Sequence, residues 1–500
     1  MSQSETPKQT KQRLMMLGLD SISLPFIQEN LRTLPMFDTL LERGQLRHLS
    51  SPATYLSASV WPTFLSGKQP GDHGQYFPFQ WSAEHSRYRR IAGAQWSEEF
   101  ADPPFWHRIA EAGVPTIAFD IGHALCDEHA PCLQITNWSY QSSGAAKASD
   151  PRVLAELRSR FGRRPIGPEV PIPKNARQCA ALQKRLVAAV RAKADGTLYL
   201  MQKPWRLFVC GWYEAHRAGH NLWPVDGDFA SEASPDAMLA VYQEVDRQLG
   251  RIYTALEAAK APTSLLIFSL HGMEPNRAQD HFLPEILSRL NRVYLGERLN
   301  RSDRPSAPNA TALLRRVLPP TLQYRTASIL GETVQDWVVN RAFTAGRAWE
   351  RIPSFSVISG GEGLIRLNLK GRESPGFFVP GSPEVAAYVA WLRERLSGIA
   401  VCETGEPLID EIFDTDELFR GMRRRFLPDL IISWAPKAPV HRIRSPDIGE
   451  IEVSLATGRG GNHNDTAFMI GMGGSDICRA VEPIENIADL GKVSEMMLLN

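Results

Sequence analysis

LMMLGLD, residues 14–20, is a short apolar run that ends on an aspartate. The arrangement recurs along the chain: TIAF runs into Asp120, RLFVCGWY into Glu214 and SLLIFSL into His271, each followed by polar residues and a helical stretch. Runs of this length without polar interruption suit strands covered on both faces, and their alternation with helices indicates parallel connections. The expected class is therefore α/β: a three-layer α/β/α sandwich with a mostly parallel central sheet. Two later runs, DLIIS (429–433) and TAFMIGM (466–472), have the same composition and are expected to continue that sheet. Between about residues 277 and 425 the pattern changes. LPEILSRLNRVYLGERL and NATALLRRVL read as Arg-rich helices and GEGLIRLNLKGRE alternates as a strand does, so this region is expected to form an inserted, smaller subdomain.

The 500 residues carry 56 Lys plus Arg against 55 Asp plus Glu, so no charge surplus points to a nucleic-acid polymer or a membrane surface as partner. An anionic ligand must then be met by a local site. Six cysteines lie without CxxC spacing, which argues against a zinc ribbon or a disulfide framework and leads to the expectation of reduced thiols in a cytoplasm. The polar start, residues 1–12, is expected to be a disordered tail, and no apolar run approaches the roughly 18 residues of a membrane span.

In open α/β sheets, ligands gather outside the carboxyl ends of the strands, where Asp20, Glu214 and His271 would all lie. The segment LSASVWPTFLSGKQPGDHG, residues 56–74, offers a hydroxyl, Ser57, at the start of a helix, where unpaired backbone N–H groups favour an anion. Ser57 could equally be a helix cap. EAHRAGH places His216 and His220 four positions apart, on one helical face, and His463 lies in the Gly-rich segment GNHND. His73 and His281 read as structural, in a turn and at a helix start.

Taken together, these segments resemble the alkaline phosphatase superfamily, in its type I phosphodiesterase and nucleotide pyrophosphatase branch. Asp20 is similar to that family's first metal ligand. Ser57, followed by Trp61 and SGKQPGDHG, falls where its nucleophile sits, and EAHRAGHNLW, FSLHGM and GNHNDTAFMIGMG resemble its remaining metal-ligand segments. The resemblance implies a divalent metal cofactor, zinc above all, as one or two ions, and hydrolysis of a small phosphate ester, mono- or diester, through Ser57. One ion would take His216, His220 and His463, with a histidine where the family has an aspartate. The other would take Asp20, Ser57 and His271, but Leu270 stands where a further aspartate is expected, and leucine binds no metal. Glu214 could fill that vacancy if its segment were extended; on a helix it would point elsewhere.

In IRLNLKGRE, Arg366, Asn368, Lys370 and Arg372 alternate with apolar residues. This is either a solvated outer face or a place where Arg366 or Arg372 reaches a substrate anion, as guanidinium geometry suits phosphate. Ser57 lacks the downstream Pro and Arg of a sulfatase maturation signal. Transfer of a phosphoryl or sulfuryl group in a biosynthetic pathway, and a non-catalytic metal-binding relative, are the alternatives to hydrolysis.

Overall fold

The computed structural model describes residues 11–499 apart from 85, 92–101, 125, 128, 140–144, 168–171, 174, 225–232, 260, 298–339, 341–350, 375 and 454–458. Residues 1–10 of the expected tail and the NATALLRRVL segment thus lie outside the described residues. Gln12 is held in place, its Nε2 donating to Ser264 Oγ at 3.1 Å and its carbonyl accepting from Arg206.

The apolar runs form the centre of an eight-stranded sheet. Its strands are β1 (Arg13–Leu19), β2 (Gln45–Leu49), β3 (Thr116–Phe119), β4 (Leu133–Thr136), β5 (Lys147–Ala148), β6 (Leu207–Trp212), β7 (Thr263–Ser269) and β8 (Ala467–Met472). In space they run β2-β8-β7-β1-β6-β3-β4-β5. The pairs β7–β1, β1–β6, β6–β3 and β3–β4 are parallel, while β8 runs antiparallel to both its neighbours and β5 antiparallel to β4. Every residue of β6 and β8, and all but the first of β1 and β7, is buried, so helices cover both faces and the sheet is the middle layer of three. Three helices matter for the site: α1 (Val60–Ser66), α2 (Ala176–Leu200) and α3 (Glu214–Leu222).

The register sets the strand ends level. Leu19 lies opposite Trp212, Gly18 opposite Phe268, and the Asp20 amide continues the ladder by donating to the Trp212 carbonyl at 2.8 Å. Asp20, the start of α3 and His271 consequently share one edge of the sheet.

The later region builds a second layer of its own. A four-stranded antiparallel sheet (Ser354–Ser356, Gly363–Leu367, Leu430–Trp434 and Ile409–Asp414) packs with helices Leu283–Tyr294 and Pro383–Ser397 around a separate apolar cluster that reaches Ile451. The expectation for DLIIS is corrected here: it enters this smaller sheet, because its neighbours are Gly363–Leu367 and Ile409–Asp414 rather than any strand of the central sheet. TAFMIGM does return to the central sheet, as β8. No helix among the described residues is long and apolar enough to cross a membrane.

Candidate functional site

The site grows out of the turn after β1. Asp20 is buried, and each of its carboxylate oxygens is engaged: Oδ2 by His216 Nδ1, and Oδ1 by the Trp61 Nε1–H at 2.9 Å, with His271 Nε2 3.1 Å away. Trp61 stands on α1, the helix that continues directly from the turn beginning at Ser57. His271 Nε2 also lies 2.8 Å from Ser21 Oγ. Burial works to raise the Asp20 carboxyl, but the neighbouring His216 and His271 outweigh it and hold the group well below the usual carboxylate range.

Two elements bring the histidines to the same place. Helix α3 puts His216 and His220 on one face, with ring centroids 4.7 Å apart. Immediately after His271, Gly272–Pro275 pairs antiparallel with Gly461–Asn464, and the register Met273↔His463 delivers His463 from far downstream. This ribbon presses on α3 so closely that a Cβ on Gly461 would meet the Gly219 carbonyl at 2.4 Å, and one on Gly219 would meet the Met273 side chain at 2.7 Å. Nitrogen atoms of His216, His220 and His463 all lie within 4.8 Å of one another.

The surrounding hydrogen bonds test whether a cation fits there. His216 Nδ1 faces Asp20, and His220 Nδ1–H donates to the Gly461 carbonyl at 2.8 Å, so the neutral tautomer protonated at Nδ1 turns the Nε2 acceptor of each ring inward. His216 Nε2 then points at His463 Nε2 only 3.1 Å away. Two lone pairs facing each other in a buried site are unfavourable unless a proton or a cation lies between them. Burial first, then neighbouring cationic groups, hold His220 and His463 well below the ordinary histidine value, so both are neutral and disposed to bind a metal rather than a proton. An outer N–H tied to a carboxylate or carbonyl is the usual support of a metal-binding histidine. The donor set fits.

Ser57 is buried, its Oγ has no hydrogen-bond partner among the described residues, and its backbone N–H donates to Glu362 Oε1 at 2.6 Å. The other oxygen of Glu362 accepts from the Gly360 amide at 2.9 Å. A Cβ at Gly360 would come within 2.3 Å of Ser57 Oγ, so a larger residue there would force the hydroxyl to turn or the loop to shift. Ser57, Glu362, Glu274, Arg277, Asn462 and His463 line one cavity, so the hydroxyl and the histidine cluster open onto the same space. Nearby Asp280 is pushed up to about 6, by burial first and then by Glu362. Glu362 was not singled out from the sequence. Its only signal is an acidic residue within the run Gly360–Gly363, and no spacing relates it to Ser57.

Three expectations are corrected. Glu214 does not complete a second metal site: it begins a helix, and its carboxylate turns back to accept from the Tyr213 amide at 3.0 Å, while burial raises it and the charge of Lys193 works against that. Lys193 there is fully buried, bound to Asp120 and to the Gly211 carbonyl at 2.9 Å. Arg366 and Arg372 do not reach the cavity. Arg366 bonds Glu373 at 2.5 Å and the Leu427 and Arg425 carbonyls at 2.8 and 2.9 Å, while Arg372 grips both oxygens of Asp429 at 2.7 Å. Nor is the Arg366 face solvated, since Leu364 beside it packs into an aromatic cluster with Tyr76 and Trp81. Alternation reports which residues share a face, not what covers that face.

Comparison with known proteins bears on the fold and the family. No curated protein sequence matches the chain. Among solved structures, phosphonoacetate hydrolase from Sinorhizobium meliloti, in complex with phosphonoformate, superposes with a TM-score of 0.50 at 12% identity, covering 98% of this chain and 96% of that one. Murine ectonucleotide pyrophosphatase/phosphodiesterase 5, in complex with AMP, gives 0.47 at 12% identity over 98% and 95%. At such identities the likeness concerns the fold alone. The sequence pattern of the type I phosphodiesterase / nucleotide pyrophosphatase family, however, matches residues 14–317, a span that holds Asp20, Ser57, His216, His220 and His271. With more than half of its length matched, the chain belongs to the type I phosphodiesterase / nucleotide pyrophosphatase family.

Proposed function

We propose that this chain hydrolyses a small phosphoric ester, with Ser57 as nucleophile and a divalent ion held by His216, His220 and His463. The observation that carries this reading is that Ser57 and His463 line one cavity. Family membership supports phosphoester hydrolysis as the reaction class. Three imidazole ligands with a position left open suit zinc best. Such an ion would supply positive charge to the phosphoryl oxygens and make attack on phosphorus easier.

The chain's own residues do the rest. Ser57 Oγ attacks phosphorus while its proton passes to the departing alkoxide as the bond to the leaving alcohol breaks, and water later adds to phosphorus and returns a proton to the serine oxygen as it leaves. Gly360 keeps the approach to that oxygen clear. The buried walls around Ser57 exclude bulk water and strengthen the local electrostatics. The six cysteines stand outside any disulfide, which supports a reducing, cytoplasmic location.

A second reading, a non-catalytic relative, is favoured by one observation: the Glu362 carboxylate holds the Ser57 N–H, a donor that a phosphoryl oxygen would otherwise use. The two separate in one experiment. Purified protein is stripped, reloaded with zinc and assayed on aryl phosphate mono- and diesters beside its Ser57→Ala variant. Turnover lost by a thousandfold or more in the variant supports catalysis at Ser57; no zinc-dependent turnover, or turnover indifferent to the substitution, overturns it.

A further inference from the structure

We propose that the site is built for a single divalent ion, and that Asp20 is a positioning residue for the ligand His216 rather than a metal ligand itself. The inference rests on the three-histidine site of the reading above.

Asp20 has little left to offer a metal. One oxygen is bound to His216 Nδ1, and the other accepts the Trp61 indole N–H at 2.9 Å and faces His271 Nε2 at 3.1 Å. His271 Nε2, the nitrogen nearest Asp20, is shared in turn with Ser21 Oγ at 2.8 Å. These contacts join Asp20, His271, Ser21 and Trp61 into one hydrogen-bonded support. Beside His271, Leu270 is buried in the main apolar core and supplies no donor atom. Glu214, the carboxylate next along the sheet edge, is turned onto the Tyr213 amide.

Asp20 is the carboxylate bonded to the histidine cluster, through His216 and His271, while Glu274 and Glu362 line the cavity beside His463. The outer hydrogen bonds follow the same plan on both helix-borne ligands: His216 is backed by Asp20, and His220 by the Gly461 carbonyl.

The test counts and weighs the metal. Chelator-stripped protein is reloaded with zinc, dialysed and analysed by elemental mass spectrometry, with cobalt(II) absorption and chelator competition as second readouts. We expect one ion per chain. Asp20→Asn should keep one ion with affinity lowered about 10- to 100-fold, while His271→Gln should keep one ion with affinity within about threefold of the parent. His220→Ala should hold none firmly. Two ions per chain, with Asp20→Asn or His271→Gln reducing the count to one, would overturn the single-ion site while leaving the phosphoester reading in place. No bound ion at any loading would overturn the three-histidine site, and with it the metal part of that reading. Should Asp20→Asn fail to fold, the parent count and the His271→Gln variant decide.

Discussion

The backbone N–H of Ser57 and the carboxylate of Glu362, 305 positions apart in sequence, meet at 2.6 Å. A carboxylate on that donor competes with any phosphoryl oxygen for it, and its charge repels an anion entering the cavity. Glu362→Gln keeps an acceptor and removes the charge. Inorganic phosphate, measured as a competitive inhibitor, should then bind roughly 3- to 10-fold more tightly, in line with about 1 kcal/mol for a like-charge contact partly open to water. Unchanged inhibition would show that Glu362 sits outside the anion's path.

Gly360→Ala should damage turnover far more than stability. The added methyl would lie 2.3 Å from Ser57 Oγ, so the hydroxyl must turn or the loop must shift. A displacement of this size at the reacting atom is expected to lower kcat at least tenfold, by about 1.4 kcal/mol or more. Thermal melting within a few degrees of the parent, alongside the kinetic loss, is the expected pair of results.

Arg372→Met should do the reverse. Its guanidinium bonds both oxygens of Asp429 and also Glu373, and removing it takes the bidentate partner from the buried Asp429 carboxylate, while Glu373 keeps Arg366. Breaking such a pair typically costs about 3–5 kcal/mol. Denaturant titration should show that loss, while turnover per folded molecule stays within about twofold of the parent. A KM raised tenfold or more without loss of stability would return Arg372 to the substrate.

Metal-free protein should lose stability as pH falls below neutrality. Burial holds His73 at about 3 and His123 at about 4, each well under the ordinary histidine value. His73 is locked neutral, because its Nδ1 accepts the Gln75 amide at 3.0 Å while Nε2 meets Thr63 Oγ1 at 3.0 Å. Below a pH of about 6.5 the unfolded chain takes up protons that these rings refuse, so unfolding is favoured by up to about 1.4 kcal/mol per pH unit for each. Asp280 opposes this: held at about 6 when folded, it takes a proton before its unfolded counterpart does and offsets one histidine. Urea midpoints at pH 7.5, 6.5 and 5.5 should therefore fall in that order, and a midpoint that rises toward pH 5.5 would contradict the assignment.

Much of the fold could be read from composition alone, because strands covered on both faces must be apolar throughout. LMMLGL, RLFVCGWY and SLLIFSL are such strands, and the residues that end them, Asp20, Glu214 and His271, mark one edge of the sheet. The pairing of His216 with His220 was equally legible, since helical spacing is a local property. DLIIS shows the limit: its composition says that it is buried, not which sheet buries it.

What the sequence by itself determined is the identity and order of the chemically capable residues, together with the local periodicities that put them on strand ends and helix faces. Only the tertiary structure decided how they are used. A β-ribbon brought His463 to His216, a helix start turned Glu214 onto the Tyr213 amide, a loop laid Glu362 on the Ser57 amide, and a buried ion pair took up Arg372. Each of these outcomes depends on contacts between segments far apart in the chain, where burial and hydrogen-bond satisfaction, rather than residue spacing, select the partner.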